Sequence, residues 1–311
     1  MALDLNYINE RVKSDPAAFV EECEAQYEAK VRRAAERIAD NRTKSPLVLL
    51  SGPSGSGKTT TAKRISDTLA KMGIRSHNVA MDEYFLSARG EGMPRTPEGE
   101  PDFESPECID WALMDSHFDD LEHGREVQVP RFSFSLQRRI EPKLPPMRLG
   151  TDEIAIFEGI HALNTRIAAR HPDAFKLYIS ARSDTQLDGK TVFKGTWTRL
   201  VRRTIRDDLF RGADASTTLG MWANVRRGEK AYISPFKDSA NLQFDTAIPY
   251  EIPAMRDIAK QIFTKAPAEA ERREEYNELI RNLDLYADFD TSLVPPLALI
   301  REFIGGGAYS Y

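Results

Sequence analysis

The sequence predicts an α/β fold: a mainly parallel sheet flanked on both faces by helices, with a helical lid and a helical C-terminal extension. Three observations lead there. The segment Gly52-Pro53-Ser54-Gly55-Ser56-Gly57-Lys58-Thr59 fits G-x-x-x-x-G-K-[ST] at every fixed position, between a strand pattern and a helix pattern. Short apolar runs alternate with helical periodicities along most of the chain, as a parallel sheet requires. The 311 residues, 41% hydrophobic and 29% charged, have the composition of an ordinary globular protein. The chain divides by pattern into an N-terminal helical extension (1–45), a nucleotide-binding domain (46–250) with its lid at about 195–231, and a helical extension (251–311).

The elements follow in order. Residues 16–40 read as an amphipathic helix with Asp15 as N-cap and Pro16 at its first position. Its apolar stripe is Phe19, Val20, Cys23, Tyr27, Val31, Ala35 and Ile38, suited to packing on a core. Pro46-Leu47-Val48-Leu49-Leu50 is a buried parallel strand in pattern. After the glycine loop, Ala62, Ile65, Leu69 and Met72 recur at helical spacing until Gly73. A second strand covers 77–81 and ends in Asp82-Glu83-Tyr84-Phe85. A Pro/Gly-rich acidic loop runs from about Ser87 to Pro106. A helix with Ile109, Leu113, His117 and Leu121 in register stops at Gly124, and a β segment or hairpin extends through Arg148. The third strand, 154–157, leads into Glu158-Gly159 and a helix over about 160–170. The fourth strand is 175–179, basic helices occupy about 195–211 and 215–231, and a fifth strand lies near 242–244. In such sheets ligands bind at the carboxyl ends of the strands, so Ser51–Thr59, Asp82 and Glu158 should share one rim.

The glycines of 52–59 let backbone N–H groups close on phosphate oxygens, and the helix N-terminus adds positive potential. Gly52, Ser54, Gly55, Ser56, Gly57 and Thr60 belong to this cradle. Lys58 supplies a cation for the β and γ phosphates, and the Thr59 hydroxyl suits Mg²⁺. Asp82, directly after a strand, suits a base that orients an acceptor hydroxyl and takes its proton; a Mg²⁺-bound or turn-forming aspartate is the alternative. Glu158 suits Mg²⁺ through water, or a helix N-terminus. Arg199, Arg202, Arg203 and Arg206 stand at i, i+3, i+4 and i+7 on one helix face, near Arg211-Gly212; they either meet phosphate or are solvated. Asp102 and Glu104 suit ribose hydroxyls. Phe132 and Phe134 suit base stacking or core packing.

Several classes are excluded. No apolar stretch approaches the length of a membrane span. Met1–Asn6 carries no secretory pattern, which predicts a cytoplasmic protein. Cys23 and Cys108 have no metal-ligand spacing and read as reduced thiols. No zinc spacing or hydrolase elbow is present. The net charge of −5 argues against general nucleic-acid binding. A homo-oligomer is compatible with the pattern.

Taken together, the glycine loop, Met81-Asp82-Glu83-Tyr84-Phe85, Asp102-Phe103-Glu104-Ser105-Pro106, Pro130-Arg131-Phe132-Ser133-Phe134, Phe157-Glu158-Gly159-Ile160 and Arg202–Asp207 with Arg211-Gly212 resemble the uridine kinase and phosphoribulokinase family of P-loop NTPase-fold kinases. Met221-Trp222, Val225–Glu229 and the segment Leu299–Gly306 are similar to a bacterial nucleoside kinase branch that often carries a region related to threonyl-tRNA synthetase N-terminal regions. Here 1–45 is only helical. The resemblance implies ATP- and Mg²⁺-dependent phosphorylation of a small-molecule hydroxyl, most simply the 5′-hydroxyl of a nucleoside. Asp82 would be the base, with Lys58 and Arg206 catalytic and Arg203 and Arg211 on the phosphates. Thr59 and Glu158 would organise the metal. Tyr84, Asp102, Phe103, Glu104, Phe132, Gln137, Arg139 and Arg206 would form the acceptor side. Phe132 replaces the usual tyrosine, Gln137 a base-contacting histidine, and Ala213 a further lid arginine, so the acceptor's base is open. A pantothenate- or ribulose-phosphate-like alcohol is the alternative acceptor. A regulatory NTPase without an acceptor, or an adaptor built on helix 16–40, are alternatives of another kind.

Overall fold

The computed structural model describes residues 2–142, 144–265 and 273–310. In chain order the strands are β1 (Leu3–Asp4), β2 (Leu47–Ser51), β3 (Arg75–Ala80), β4 (Arg131–Ser133), β5 (Arg138–Ile140), β6 (Glu153–Glu158), β7 (Phe175–Ser180), β8 (Thr185–Leu187), β9 (Lys190–Phe193) and β10 (Leu242–Asp245). The helices are α1 (Leu5–Ser14), α2 (Pro16–Asn41), α3 (Lys58–Lys71), α4 (Trp111–Glu122), α5 (Thr165–Ala168), α6 (Gly195–Phe210), α7 (Ala215–Gly228), α8 (Glu251–Thr264), α9 (Arg273–Leu283) and α10 (Arg301–Ile304).

A parallel five-stranded sheet, ordered β10-β7-β2-β6-β3, forms the centre. Its middle strand β2 is buried along its whole length, because Leu47–Leu50 meet helices on both faces. One core lies between the sheet and α2, α3, α6 and α8; the other lies on the opposite face with α4 and the 81–132 region.

The long N-terminal helix forms as its cap predicts. The Asp15 carboxylate accepts from the Ala18 N–H, and Pro16 opens the first turn. Its whole apolar stripe is buried in the first core, against α3.

Four details differ from the sequence expectation. The helix expected over about 160–170 shrinks to α5, because Asn164 caps a single turn and the chain then swings into β7. Met72 stays 45% exposed beyond the last turn of α3. The second strand spans 75–80, and Met81–Tyr84 is a short 3₁₀ turn. A further sheet, β1-β8-β9, joins the start of the chain to a hairpin at 185–193. The β segment after α4 is an antiparallel hairpin, β4-β5. Cys23 and Cys108 are buried and unpaired. No helix among the described residues is long and apolar enough to cross a membrane.

Candidate active site

Strand register sets the site. Glu158, the last residue of β6, stands level with Leu50 of β2 and with Ala80 of β3. The chain leaves β2 into the glycine loop and leaves β3 into Asp82. Loop, Asp82 and Glu158 therefore emerge side by side at the carboxyl edge, as the alternation of elements predicted.

The loop is held close against α6. Gly55 has φ +74°, and a Cβ there would lie 2.6 Å from the Arg199 carbonyl oxygen. Gly57 has φ +79° and caps α3 without a side chain, so no cap side chain takes up the N–H groups of the first turn. Such an end attracts anions.

Charged groups converge there. Burial pushes the Lys58 ammonium down, while Glu158, Asp82 and Glu302 oppose that shift. Burial pushes Asp82 up, against the pull of Lys58 and Arg211. Glu158 is likewise raised by burial, with Lys58 and a hydrogen bond from the Thr59 hydroxyl opposing. Glu104 is raised by burial to about 7, with Arg203 and Lys58 pulling it down and Asp102 and Asp82 pushing it up. Lys58, Asp82, Glu104, Glu158, Arg203, Arg206 and Arg211 thus belong to one electrostatic cluster. The Thr59 hydroxyl and the Glu158 carboxylate are already in contact. Both are hard oxygen donors, the ligand type that Mg²⁺ takes.

The arginines of α6 divide in two. Arg199 and Arg202 are buried in ion pairs, so of the two expected uses of this face, phosphate contact or solvation, they show neither. Arg199 Nη2 meets Glu229 at 2.7 Å, and Arg202 Nε meets Glu251 at 2.7 Å. Both also donate to loop carbonyls, Arg199 to Ser54 at 3.2 Å and Arg202 to Gly55 at 3.3 Å. A buried charge needs this pairing. They hold the loop from behind. Arg203 reaches the Ser54 hydroxyl at 2.9 Å. Arg203, Arg206 and Arg211 gather on one buried carboxylate, Asp207, at 3.3, 2.7 and 3.8 Å. Asp207 was not singled out from sequence, although its place four residues from both Arg203 and Arg211 is the helical ion-pair spacing.

The acceptor side is partly reassigned. Tyr84 is fully buried and its hydroxyl hydrogen-bonds His117 Nδ1 at 2.9 Å, so it is a core residue rather than a substrate contact. Arg139 spends its guanidinium on the Phe85 and Tyr84 carbonyls and Asp110, clamping the chain after β3. Asp102 accepts from the Glu104 N–H at 3.1 Å and meets Arg227, so it shapes the loop that presents Glu104. Gln137 is exposed at the β4-β5 turn with φ +48°. Phe132 is 6% exposed and forms an edge-to-face cluster with Phe85, Phe103 and Phe134; Phe134 is 61% exposed. Ser56 is fully buried. Glu302, which sequence reasoning missed as a site residue, accepts from the Thr60 N–H at 3.2 Å.

The family model described as "Phosphoribulokinase / Uridine kinase family" matches residues 47–251. The chain is 26% identical over 204 residues to uridine-cytidine kinase B of Dictyostelium discoideum, covering 65% of this chain and 75% of that one. It is 24% identical over 202 residues to a uridine kinase of Ureaplasma parvum, covering 64% and 88%. A uridine kinase of Schizosaccharomyces pombe is 35% identical over 137 residues, but the match spans 42% of this chain and 29% of the relative. Among solved structures, a putative fructose transport system kinase of Silicibacter superposes with a TM-score of 0.50 at 20% identity, over 69% of this chain and 98% of that one, a likeness of fold.

Proposed function

The chain belongs to the phosphoribulokinase / uridine kinase family and is an ATP-dependent kinase, and from that premise we propose that it phosphorylates the 5′-hydroxyl of a nucleoside. The observation that carries this reading is the convergence, on one sheet edge, of the glycine loop, Asp82 after β3 and Glu104 on the facing loop.

Backbone N–H groups of 52–60 and Lys58 bind the donor phosphates. Thr59 and Glu158 would hold Mg²⁺, which supplies charge neutralisation on the phosphates when bound. Glu104 accepts from ribose hydroxyls and fixes the acceptor. Asp82 orients the 5′-hydroxyl and takes its proton as the oxygen attacks the terminal phosphorus and the bond to the ADP oxygen breaks. Asp82 suits this because burial raises its affinity for a proton, against the pull of Lys58 and Arg211. Arg203, Arg206 and Arg211, aligned by Asp207, stabilise charge spreading over the moving phosphoryl group. The exposed face of the Phe103–Phe132–Phe134 cluster offers rings against which a base stacks.

The test is ADP release from Mg·ATP with a panel of pyrimidine nucleosides, purine nucleosides, pantothenate and sugar phosphates. Release that depends on a nucleoside supports the proposal. Release equal with every acceptor and with none contradicts it.

A further inference from the structure

The first turn of α3 is where the donor phosphates are read to sit, and one pair of its hydrogen-bond donors is already in use. The Thr60 backbone N–H and the Thr60 hydroxyl both donate to the same Glu302 oxygen. Thr60 is fully buried and Glu302 only 8% exposed, so the carboxylate is seated in the protein.

A built segment delivers it. Leu299 presses on the glycine loop so closely that a Cβ on Gly57 would lie 2.7 Å from Leu299 Cδ1. The Arg202 guanidinium, which holds the loop from behind, lies 5.4 Å from the centre of the Phe303 ring. Arg301 ties the segment internally to the Val294 and Gly305 carbonyls. The charge of Glu302 is felt at Lys58, Glu158 and Arg211, the groups read as meeting phosphate and metal.

A carboxylate and a phosphate are both oxyanions, and these two donors cannot serve both. Two anions forced into one cradle also repel each other. We propose that Glu302 is an internal competitor for the donor nucleotide: it occupies the Thr60 donors in the nucleotide-free protein, and nucleotide binding requires 299–304 to withdraw. This rests on reading 52–60 as the donor-phosphate site. Affinity for nucleotide is then set by both loop and segment, and anything that holds the segment down lowers it.

The test uses the full chain. Glu302→Gln keeps size and removes charge. Calorimetric titration with Mg·ATP is expected to show about tenfold tighter binding by the variant, the scale of one charge-assisted hydrogen bond. In the unaltered protein, amide hydrogen exchange across 299–304 is expected to accelerate on adding Mg·ATP. Unchanged or weaker ATP binding by a folded Glu302→Gln, or exchange at 299–304 that ATP leaves unchanged or slows, overturns the proposal. Should the variant fail to fold, the exchange measurement decides alone. Failure of the unaltered protein to bind any nucleotide at millimolar concentration removes the donor-site reading itself, a separate result.

Discussion

Glu104 is the residue whose environment speaks most directly about pH. Burial lifts its carboxyl from 4.5 to about 7. The folded state therefore holds this proton more tightly than the unfolded chain does. Its contribution favours folding at low pH and is lost as pH rises from 4.5 towards 7. The denaturation midpoint of the nucleotide-free protein should fall across that window, and Glu104→Gln should flatten the fall. Acceptor binding should run the other way. Ribose hydroxyls donate to a carboxylate better than to a carboxylic acid, so the acceptor KM should drop as pH rises through about 7, and only while Glu104 is present. A KM indifferent to pH in that range would remove Glu104 from the acceptor site. At this scale the sequence was legible where chemistry is written in consecutive residues. The glycine loop, the acid that follows β3 and the acid that ends β6 take their places from strand ends. Tyr84 and Arg139 were not legible: whether a side chain at a strand end faces the edge or the core depends on the 3₁₀ turn at 81–84, which spacing does not reveal.

At the scale of elements, α6 carries the sharpest contrast. Its arginine spacing was readable, but its two partners were not. Glu229 and Glu251 stand 30 and 49 residues from the arginines they neutralise, and no local pattern connects them. Arg202→Ala should leave Glu251 as an uncompensated buried charge and cost about 3–5 kcal/mol in urea unfolding. Arg211 has a side chain 62% exposed, so Arg211→Ala should change stability by no more than about 0.5 kcal/mol. Its turnover should nonetheless fall, by roughly a hundredfold, if it stabilises the transferring phosphoryl group. Equal stability losses in the two variants would refute the division of α6 into a structural and a functional half. The β8-β9 hairpin is marked in the sequence by Asp188-Gly189, the dipeptide of a tight two-residue turn. Helix α5 was over-read because the apolar residues after Gly159 pack in a turn-rich segment rather than along one helical stripe.

The whole molecule shares a core beyond the 47–251 match. Helix α2 lies outside it, yet Tyr27 is buried, hydrogen-bonds the Thr61 hydroxyl at 2.8 Å and packs on Phe244 at 5.7 Å. Tyr27→Ala should cost about 3–5 kcal/mol, as large aromatic truncations in cores do, measured by urea unfolding. A loss under about 1 kcal/mol would make α2 peripheral. The amphipathic stripe announced that this helix packs, while its partner was beyond sequence reasoning because α3 and β10 meet it only in the folded chain. The same holds for Glu302, which reaches Thr60 across 242 residues. What binds these levels together is the proposal of a donor cradle at 52–60 facing a proton acceptor at 82, and one comparison tests that most directly: Mg·ATP affinity and phosphoryl transfer in Asp82→Asn beside the unaltered enzyme. The account predicts ATP affinity within about twofold and transfer slowed by about a hundredfold or more, the scale of general-base loss. Transfer at an undiminished rate in that variant would contradict it.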